Sequence, residues 1–326
     1  MDTQNFYEQQ ARNRRQSLVL AVLVVLLLGA LGFTIGYGLS GDVAGGIGTT
    51  IVAVIVGSLA SLGSYFAGDR LVLAASGAKL VDEGTAPQLL NVVREMAIAA
   101  NVPMPKVHLI DDTAPNAFAT GRDPEHASIA ITTGLLQKLD REELQGVIGH
   151  ELAHVRNLDI RFSLLVGVLV GSIALLSDFF LRFTFWGGGR RSRSGRDGGG
   201  GGLQAIMFVL ALVLAILAPI AARLVQLAVS RQREYLADAS SVELTRNPYG
   251  LERALAKISS DKEVLEVANR ATQHLFFTNP IKKFEERSSS LFSTHPAIVD
   301  RINRLRQLTG EQPLAAGDVA QLAGLD

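Results

Sequence analysis

The sequence predicts a membrane protein with about four hydrophobic helices in two hairpins and an additional α+β domain. The first observation is that the hydrophobic residues, 48% of the 326-residue chain, are concentrated in a few long runs. The second is that the stretches between these runs show alternating helical and strand-like patterns. The third is a polar helical segment that carries two histidines four residues apart. Together these features predict a chemically active domain next to a bilayer.

Four apolar runs are long enough to cross a bilayer as helices. They are residues 18–37, 47–67, 162–185 and 203–229. The second run is rich in Gly, Ala and Ser, as packed membrane helices often are. Asp178 and Arg182 interrupt the third run, and Pro219 and Arg223 lie in the fourth. We therefore predict two helical hairpins.

The predicted organisation alternates membrane and soluble segments. The boundaries are 1–68 for the first hairpin, 69–160 for a cytoplasmic domain, 161–230 for the second hairpin with an Arg/Gly-rich loop at 186–202, and 231–326 for the rest of the soluble domain. Arginines precede the first run, and the loop after it has no Lys or Arg, which predicts a cytoplasmic N-terminus. The four arginines of the 186–202 loop oppose this topology, so full spanning by the second hairpin stays open.

Composition narrows the possible partners and ligands. Lys plus Arg and Asp plus Glu both total 31, so no excess charge indicates a nucleic-acid partner. The chain has no Cys, which excludes disulfides and thiolate ligands. Histidines and carboxylates are left as the plausible ligands of a metal ion.

The strongest motif is His-Glu-x-x-His, formed by His150, Glu151 and His154. Residues four apart lie on one face of a helix, so both imidazoles can bind one ion. Glu151 then stands where it can take a proton from a metal-bound water. Asp140 is placed to cap the start of this helix. The alternative is an ordinary surface helix, because such strings also occur by chance.

The second hairpin predicts a third ligand. His154 and Glu234 both lie roughly 10 Å beyond the ends of their apolar runs, at 1.5 Å per helical residue. An antiparallel hairpin would therefore set them side by side. Asp238, one turn further on, can accept a hydrogen bond from a ligating histidine and fix its tautomer. The alternative is that Glu234 is a solvated charge paired with Arg231 or Arg233.

These motifs together resemble the HtpX-type membrane zinc metalloproteases, which are related to the CAAX prenyl endopeptidases. The resemblance rests on the His150–His154 motif followed by Glu234-Tyr235-Leu236-Ala237-Asp238, and on two further segments, Pro115 to Gly121 and Ser293-Thr294-His295-Pro296. It implies a zincin-like catalytic domain with one zinc ion per chain. It also implies that His150, His154 and Glu234 bind the zinc and that Glu151 is the catalytic base.

The soluble part also offers a place for an extended substrate. Residues 87–100 have the pattern of an amphipathic helix, and 107–110 and 128–132 read as short strands. A protease can bind its peptide as an added strand at an open sheet edge. The candidate edge is either 128–132 or the segment Asn116, Ala117, Phe118 and Ala119. An interior strand is the alternative for each.

The resulting functional hypothesis is an integral-membrane zinc endopeptidase of the bacterial inner membrane, with several spans and its active site facing the cytoplasm. Resemblance implies polypeptide substrates, namely membrane or misfolded proteins, and a role in quality control and the stress response. His295 could donate a hydrogen bond to the oxyanion of the reaction, or be structural. The alternative hypothesis is a non-catalytic metal-binding membrane scaffold or transporter, with the intramembrane charges marking a path. The oligomeric state is left open.

Overall fold

The computed structural model describes residues 6–186, 201–261, 263 and 296–322. The chain divides into two compact units, one from 1–65 with 164–226 and the other from 66–163 with 227–326. Most of the predicted Arg/Gly-rich loop lies outside the described residues, and so does His295.

The described residues are mostly helical. The helices are α1 (Phe6–Ser40), α2 (Val43–Ala75), α3 (Pro87–Ala100), α4 (Thr133–Lys138), α5 (Arg141–Arg156), α6 (Asp159–Trp186), α7 (Gly201–Thr245), α8 (Pro248–Ser260), α9 (Ile298–Thr309) and α10 (Val319–Leu322). The strands are β1 (Lys79–Leu80), β2 (Lys106–Ile110), β3 (Ala117–Thr120) and β4 (Ser128–Thr132). Bounds for α3 and β4 agree with the sequence patterns.

In the first unit, α1 and α2 form a tight hairpin. Small residues let the two helices approach closely: a Cβ at Gly36 would collide with the Gly45 carbonyl oxygen. The Thr50 hydroxyl also donates a hydrogen bond to the Gly29 carbonyl, at 3.3 Å. The Gly-, Ala- and Ser-rich composition of α2 therefore serves close helix packing.

Three stretches of the described residues are long and apolar enough to cross a membrane. They are Val22–Ser40, Val43–Ala60 and Gly202–Ala222. Helix α6 has the predicted position but is not among them, and it carries an exposed ion pair, Arg182 Nε to Asp178 Oδ2 at 2.7 Å. The fourth span therefore stays a prediction.

The second unit is built on a four-stranded sheet with the order β1-β2-β4-β3. Strands β2 and β4 are parallel, and the outer strands pair antiparallel to them. Because β4 lies between β2 and β3, the prediction that residues 128–132 could form the open edge is wrong. The edge on that side is β3, which contains three of the four residues of the other candidate segment.

The main core of the second unit lies between the sheet and the helices α3, α5, α8 and α9. Helix α5 begins with a capping box, in which the Asp140 side chain accepts from the Glu143 backbone N–H and the Glu143 side chain accepts from that of Asp140. Two glycines explain how tightly α5 is held. A Cβ at Gly146 would lie 2.7 Å from the Leu251 backbone nitrogen, and one at Gly149 would lie 2.9 Å from the Ser241 hydroxyl. Each allows close approach of another helix.

Helix α7 does not end near Val229, where the apolar run stops. It continues without a break to Thr245, although its sequence becomes polar. No Gly or Pro interrupts this part, and Asn247-Pro248 lies just beyond its end. These polar turns stay helical because several of their side chains are packed against partners in the second unit. Among the buried side chains are those of Glu234, Asp238 and Ser241.

Candidate metal centre

Helix α5 carries His150, Glu151 and His154 into the interior of the second unit. His150 is fully buried, Glu151 is 2% exposed and the His154 side chain is 15% exposed. The two imidazoles meet edge to face, with their Nε2 atoms 3.1 Å apart. The helical spacing of four residues thus directs both Nε2 atoms to one point, as the sequence predicts.

Helix α7 brings Glu234 to the same point. Its Oε1 lies 3.3 Å from His154 Nε2, and its Oε2 lies 3.7 Å from His150 Nε2. The Glu234 side chain is nearly buried, so the alternative of a solvated surface charge does not describe it. The neighbouring Arg233 pairs instead with Asp159, at 3.0 Å.

The donor set formed by His150, His154 and Glu234 fits a metal ion. Metal–ligand bonds of about 2.0–2.2 Å in tetrahedral geometry, as in zinc sites, set neighbouring ligand atoms roughly 3.4 Å apart. The separations between the Nε2 and carboxylate atoms are 3.1, 3.3 and 3.7 Å. The two shortest nitrogen–oxygen distances involve different oxygens of the Glu234 carboxylate. Two nitrogens and one carboxylate at these distances leave a coordination position for a further ligand, which a catalytic site needs.

Asp238 holds the first of the two imidazoles. Its Oδ1 lies 2.8 Å from His150 Nδ1, which leaves Nε2 directed at the metal position. Burial lowers the pKa of His150 to about 4, against the opposing influence of Asp238. The imidazole is therefore neutral at physiological pH, which is the state that binds a metal.

Asp159 holds the second imidazole in the same way. This residue, the first of α6, places its Oδ2 3.1 Å from His154 Nδ1. Burial disfavours the charged form of His154, but the carboxylates of Asp159 and Glu234 overcome it and raise its pKa well above 6.5. A cation is thus favoured at this position, either a proton or a bound metal ion.

Glu151 is not one of the three converging residues but interacts electrostatically with two of them, His154 and Glu234. Burial raises its pKa to about 7, and the nearby Glu234 carboxylate adds to the rise against the opposing charge of His154. The backbone N–H of Ala119, on the edge strand β3, donates a hydrogen bond to its carboxylate. Glu151 therefore links the histidine-bearing helix to the edge strand β3, whose residues are buried although no further strand pairs with it in the described sheet.

Two charged residues of the site, Asp159 and Arg301, were assigned no role from the sequence, and Arg233 was considered only as an ion-pair partner of Glu234. Arg301 is completely buried and reaches Asp238, Glu234 and His150. A signal for Arg301 existed, because it lies on the apolar face of an amphipathic helix, α9, where a charge needs a buried partner. Asp159 and Arg233 gave no comparable signal.

The remaining histidines are placed as expected or lie outside the described residues. His108 is buried in β2, and His126 is an exposed residue paired with Asp123. Neither contributes to the group of three converging ligand atoms. No position can be given for His274 or for His295.

Comparison with known proteins agrees with this geometry. Residues 83–309 match peptidase family M48, a range that contains every residue of the site named above. The chain belongs to this family. It is 45% identical to a protease HtpX homolog of Streptococcus uberis over 302 residues, covering 93% of this chain and 99% of that protein. HtpX homologs of Streptococcus pneumoniae and Ligilactobacillus salivarius are 45% and 44% identical, with the same coverage.

One solved structure is also similar to this M48 peptidase. The crystal structure of S. mikatae Ste24p matches with a TM-score of 0.48 and 20% identity, covering 90% of this chain and 66% of that one.

The family and the relatives identify the chain as a membrane metalloprotease of the HtpX type. The resemblance stated from the motifs is thereby confirmed. The alternative of a non-catalytic scaffold or transporter is not favoured. Asp178 and Arg182, two of the charges that suggested it, pair with each other along one helix.

Proposed function

We propose that this M48 peptidase is a zinc-dependent endopeptidase that binds one Zn²⁺ per chain. The observation that carries the proposal is the convergence of His150 Nε2, His154 Nε2 and a Glu234 oxygen, with the buried carboxylate of Glu151 beside them. Zinc suits this set because it favours nitrogen and carboxylate ligands in tetrahedral geometry.

The roles of the three ligands follow from their surroundings. His150 and His154 present Nε2, because their Nδ1 atoms face Asp238 and Asp159. Glu234 contributes a carboxylate oxygen from α7. When bound, zinc lowers the pKa of a coordinated water and polarises a carbonyl oxygen.

Glu151 is the proposed general base. Its carboxylate takes a proton from the attacking water and later gives it to the leaving amine of the cleaved peptide bond. Burial supports this role, since it raises the pKa of Glu151 to about 7 and makes the group a better proton acceptor than an exposed glutamate. The hydrogen bond from the Ala119 N–H holds the carboxylate in place.

The proposed substrate site is the free edge of β3. Pairing of Thr132 N–H with the Asn116 carbonyl directs the Asn116 backbone towards β4. Because backbone direction alternates along an antiparallel strand, Ala117 and Ala119 direct theirs to the side away from β4. The contact from Ala119 to Glu151 supports this assignment. A peptide added there as a strand would have its backbone beside the catalytic carboxylate.

The proposed substrates are membrane or misfolded proteins, cleaved in parts that reach the cytoplasm. Three apolar helices support a multi-pass protein of the bacterial inner membrane. The arginines before the first apolar run support a cytoplasmic N-terminus, and hence a cytoplasmic active site. A task in membrane protein quality control and the stress response follows from such substrates.

Exchange of Glu151 for Gln tests the enzymatic proposal. Glu151→Gln removes the base but keeps the size of the side chain, so the purified full chain should retain one zinc. Its rate on a loosely folded protein such as casein should fall by at least about 100-fold, since general-base catalysis contributes 10²–10⁴-fold. Glu142→Gln, an exposed change on the same helix, is the matched control and should cleave at the parent rate. Cleavage by Glu151→Gln at the parent rate would contradict the mechanism.

The proposed binding edge calls for a separate test with modified substrates. A peptide substrate is prepared with single backbone N-methyl groups at successive positions around the cleaved bond. Pairing with β3 predicts that methylation at every second position raises KM, because only alternate amides face the edge strand. A flat response along the series would argue against strand addition without affecting the zinc proposal.

A further inference from the structure

The turn between α5 and α6 brings Asp159 back to the metal site. Helix α5 ends at Arg156, and Leu158 adopts a left-handed conformation with φ of 61°. Non-glycine residues rarely adopt this conformation, and it costs of the order of 1 kcal/mol or more. The turn is stabilised by backbone hydrogen bonds from Asn157 to Ala153 and from Leu158 to Val155. As a result of this turn, Asp159, the first residue of α6, lies against His154.

Arg233 holds the other oxygen of the same carboxylate. Asp159 Oδ2 lies 3.1 Å from His154 Nδ1, and Oδ1 lies 3.0 Å from Arg233 Nη1. The Arg233 guanidinium also stacks on the ring of Phe162, 3.6 Å from its centroid. The Asp159 carboxylate thus has one oxygen at the imidazole and the other at the guanidinium, where the contact is an ion pair without hydrogen-bond geometry.

Packing alone is a weak explanation for this pair. Asp159 is 3% exposed and Arg233 is 5% exposed, so both charges have been removed from water. A buried ion pair often contributes no more stability than apolar residues of the same size would. What apolar residues could not do is accept a hydrogen bond from His154 Nδ1 and thereby direct Nε2 to the metal position.

The pair has a counterpart on the other histidine. Asp238 contacts His150 Nδ1 at 2.8 Å, and Arg301 binds Asp238 through two nitrogens. Each imidazole thus contacts a carboxylate through Nδ1, and each of these carboxylates contacts an arginine. The two carboxylates come from different helices, α6 and α7, which indicates a requirement of the site and not of one local turn.

We propose that Asp159 and Arg233 act as positioning residues for His154, so that the affinity of the site for zinc depends on both. The inference rests on the proposed function, since it assumes that His154 binds zinc. Arg233 acts in two ways. It fixes the Asp159 carboxylate, and as the residue before Glu234 it ties α7 to the turn that follows His154.

Zinc affinity, measured by competition with a chromophoric chelator on the full chain in detergent, tests the proposal. Asp159→Asn should weaken zinc binding about 10–100-fold, the usual effect of removing a partner of a ligating histidine. Arg233→Gln should weaken it less, because the aspartate remains. Combining the two should weaken binding less than the product of the separate effects, since Arg233 acts partly through Asp159.

The matched control is an aspartate–arginine pair on an exposed helix face. Asp178→Asn and Arg182→Gln remove such a pair from α6 and should leave zinc affinity unchanged. The melting temperature of the zinc-free variants separates positioning from a general structural role. A merely structural pair would lower this temperature while leaving the affinity for zinc as it was.

The proposal would be overturned if the zinc affinity of Asp159→Asn lay within twofold of that of the parent. This holds whether or not the zinc-free form of the variant lost stability. If Asp159→Asn does not fold, Arg233→Gln alone decides, by weakened or unchanged affinity. Glu234→Ala distinguishes failure of the positioning proposal from failure of the proposed function. If this variant too keeps its zinc, the metal site itself is misassigned.

Discussion

Arg301 binds both carboxylate oxygens of Asp238, although 63 residues separate them in the chain. Its Nε and Nη2 donate to Oδ2 and Oδ1 at 2.9 and 2.7 Å, and the guanidinium is completely buried. Burial opposes the charge of Arg301, but Asp238 and Glu234 overcome it and raise the pKa of the guanidinium. The arginine therefore stays charged and compensates the carboxylates that surround the metal position.

Removing Arg301 should destabilise the second unit. Arg301→Met keeps much of the side-chain volume but leaves Asp238 buried without its cation, which typically costs about 3–5 kcal/mol. The measurement is chemical unfolding of the full chain in detergent. Arg304→Met on the same helix is the control, because the exposed Arg304 stacks on Tyr235 and its removal should cost about 1 kcal/mol or less. Equal effects of the two changes would show that Arg301 does not compensate the site.

The proposed third ligand is tested by metal content. Glu234→Gln removes the anionic donor and should lower bound zinc from one per chain to well below one after dialysis, because two imidazoles alone hold the ion weakly. Glu243→Gln is the control on the same helix, where Glu243 forms an exposed ion pair with Arg156. Full zinc content in Glu234→Gln would remove this residue from the ligand set.

Gly146 is expected to tolerate no side chain. A Cβ there would meet the Leu251 backbone at 2.7–2.8 Å, and backbone cannot rotate away as a side chain can. Gly146→Ala should therefore force α5 and α8 apart and cost about 1–3 kcal/mol, despite the better helix propensity of alanine. Unfolding measurements compare it with Gly317→Ala, where an added Cβ meets nothing within 4 Å. Stabilisation by Gly146→Ala would mean that the two helices are further apart.

Because His108 is buried, we expect the folding stability of the protein to fall in acid, independently of the metal site. Burial lowers the pKa of His108 below its ordinary value of 6.5. Below that pH the unfolded chain binds more protons than the folded one, so the free energy of unfolding falls as the pH falls. Between pH 7.5 and 5.5 this residue accounts for at most about 1.4 kcal/mol.

The pH prediction is checked on zinc-free protein, so that release of the metal does not contribute. His108→Gln should lose less stability between pH 7.5 and 5.5 than the parent does. His126→Gln changes an exposed histidine and serves as the control. A parent and His108→Gln with the same pH dependence would show that His108 does not titrate with folding.

Local patterns account for the parts of the site that the sequence predicts well. His150 and His154 are one turn apart, so the helix period alone directs them to a common point. Asp140 caps α5 through the nearest backbone N–H groups, which is also a local interaction. Glu234 needed one further step, the reasoning that a hairpin returns α7 to the start of α6.

The sequence left alternatives open wherever the structure depends on contacts between segments that are distant along the chain. The sequence could not tell whether the segment of β3 or that of β4 forms the edge, because both were candidates and only strand order distinguishes them. Nor could it predict that α7 continues past its apolar run, because a polar segment gives no sign that its charges will be buried.

By itself, the sequence determined the metal-binding motif, the helical hairpin at the N-terminus and two of the described strands, β2 and β4, because periodicity and capping act within a few residues. Only the tertiary structure decided which charges meet. Asp159 contacts His154 because Leu158, in the turn between α5 and α6, has a positive φ. Arg301 of α9 contacts Asp238 of α7. A buried charge is tolerated only beside its partner, and that partner is defined by the fold and not by spacing along the chain.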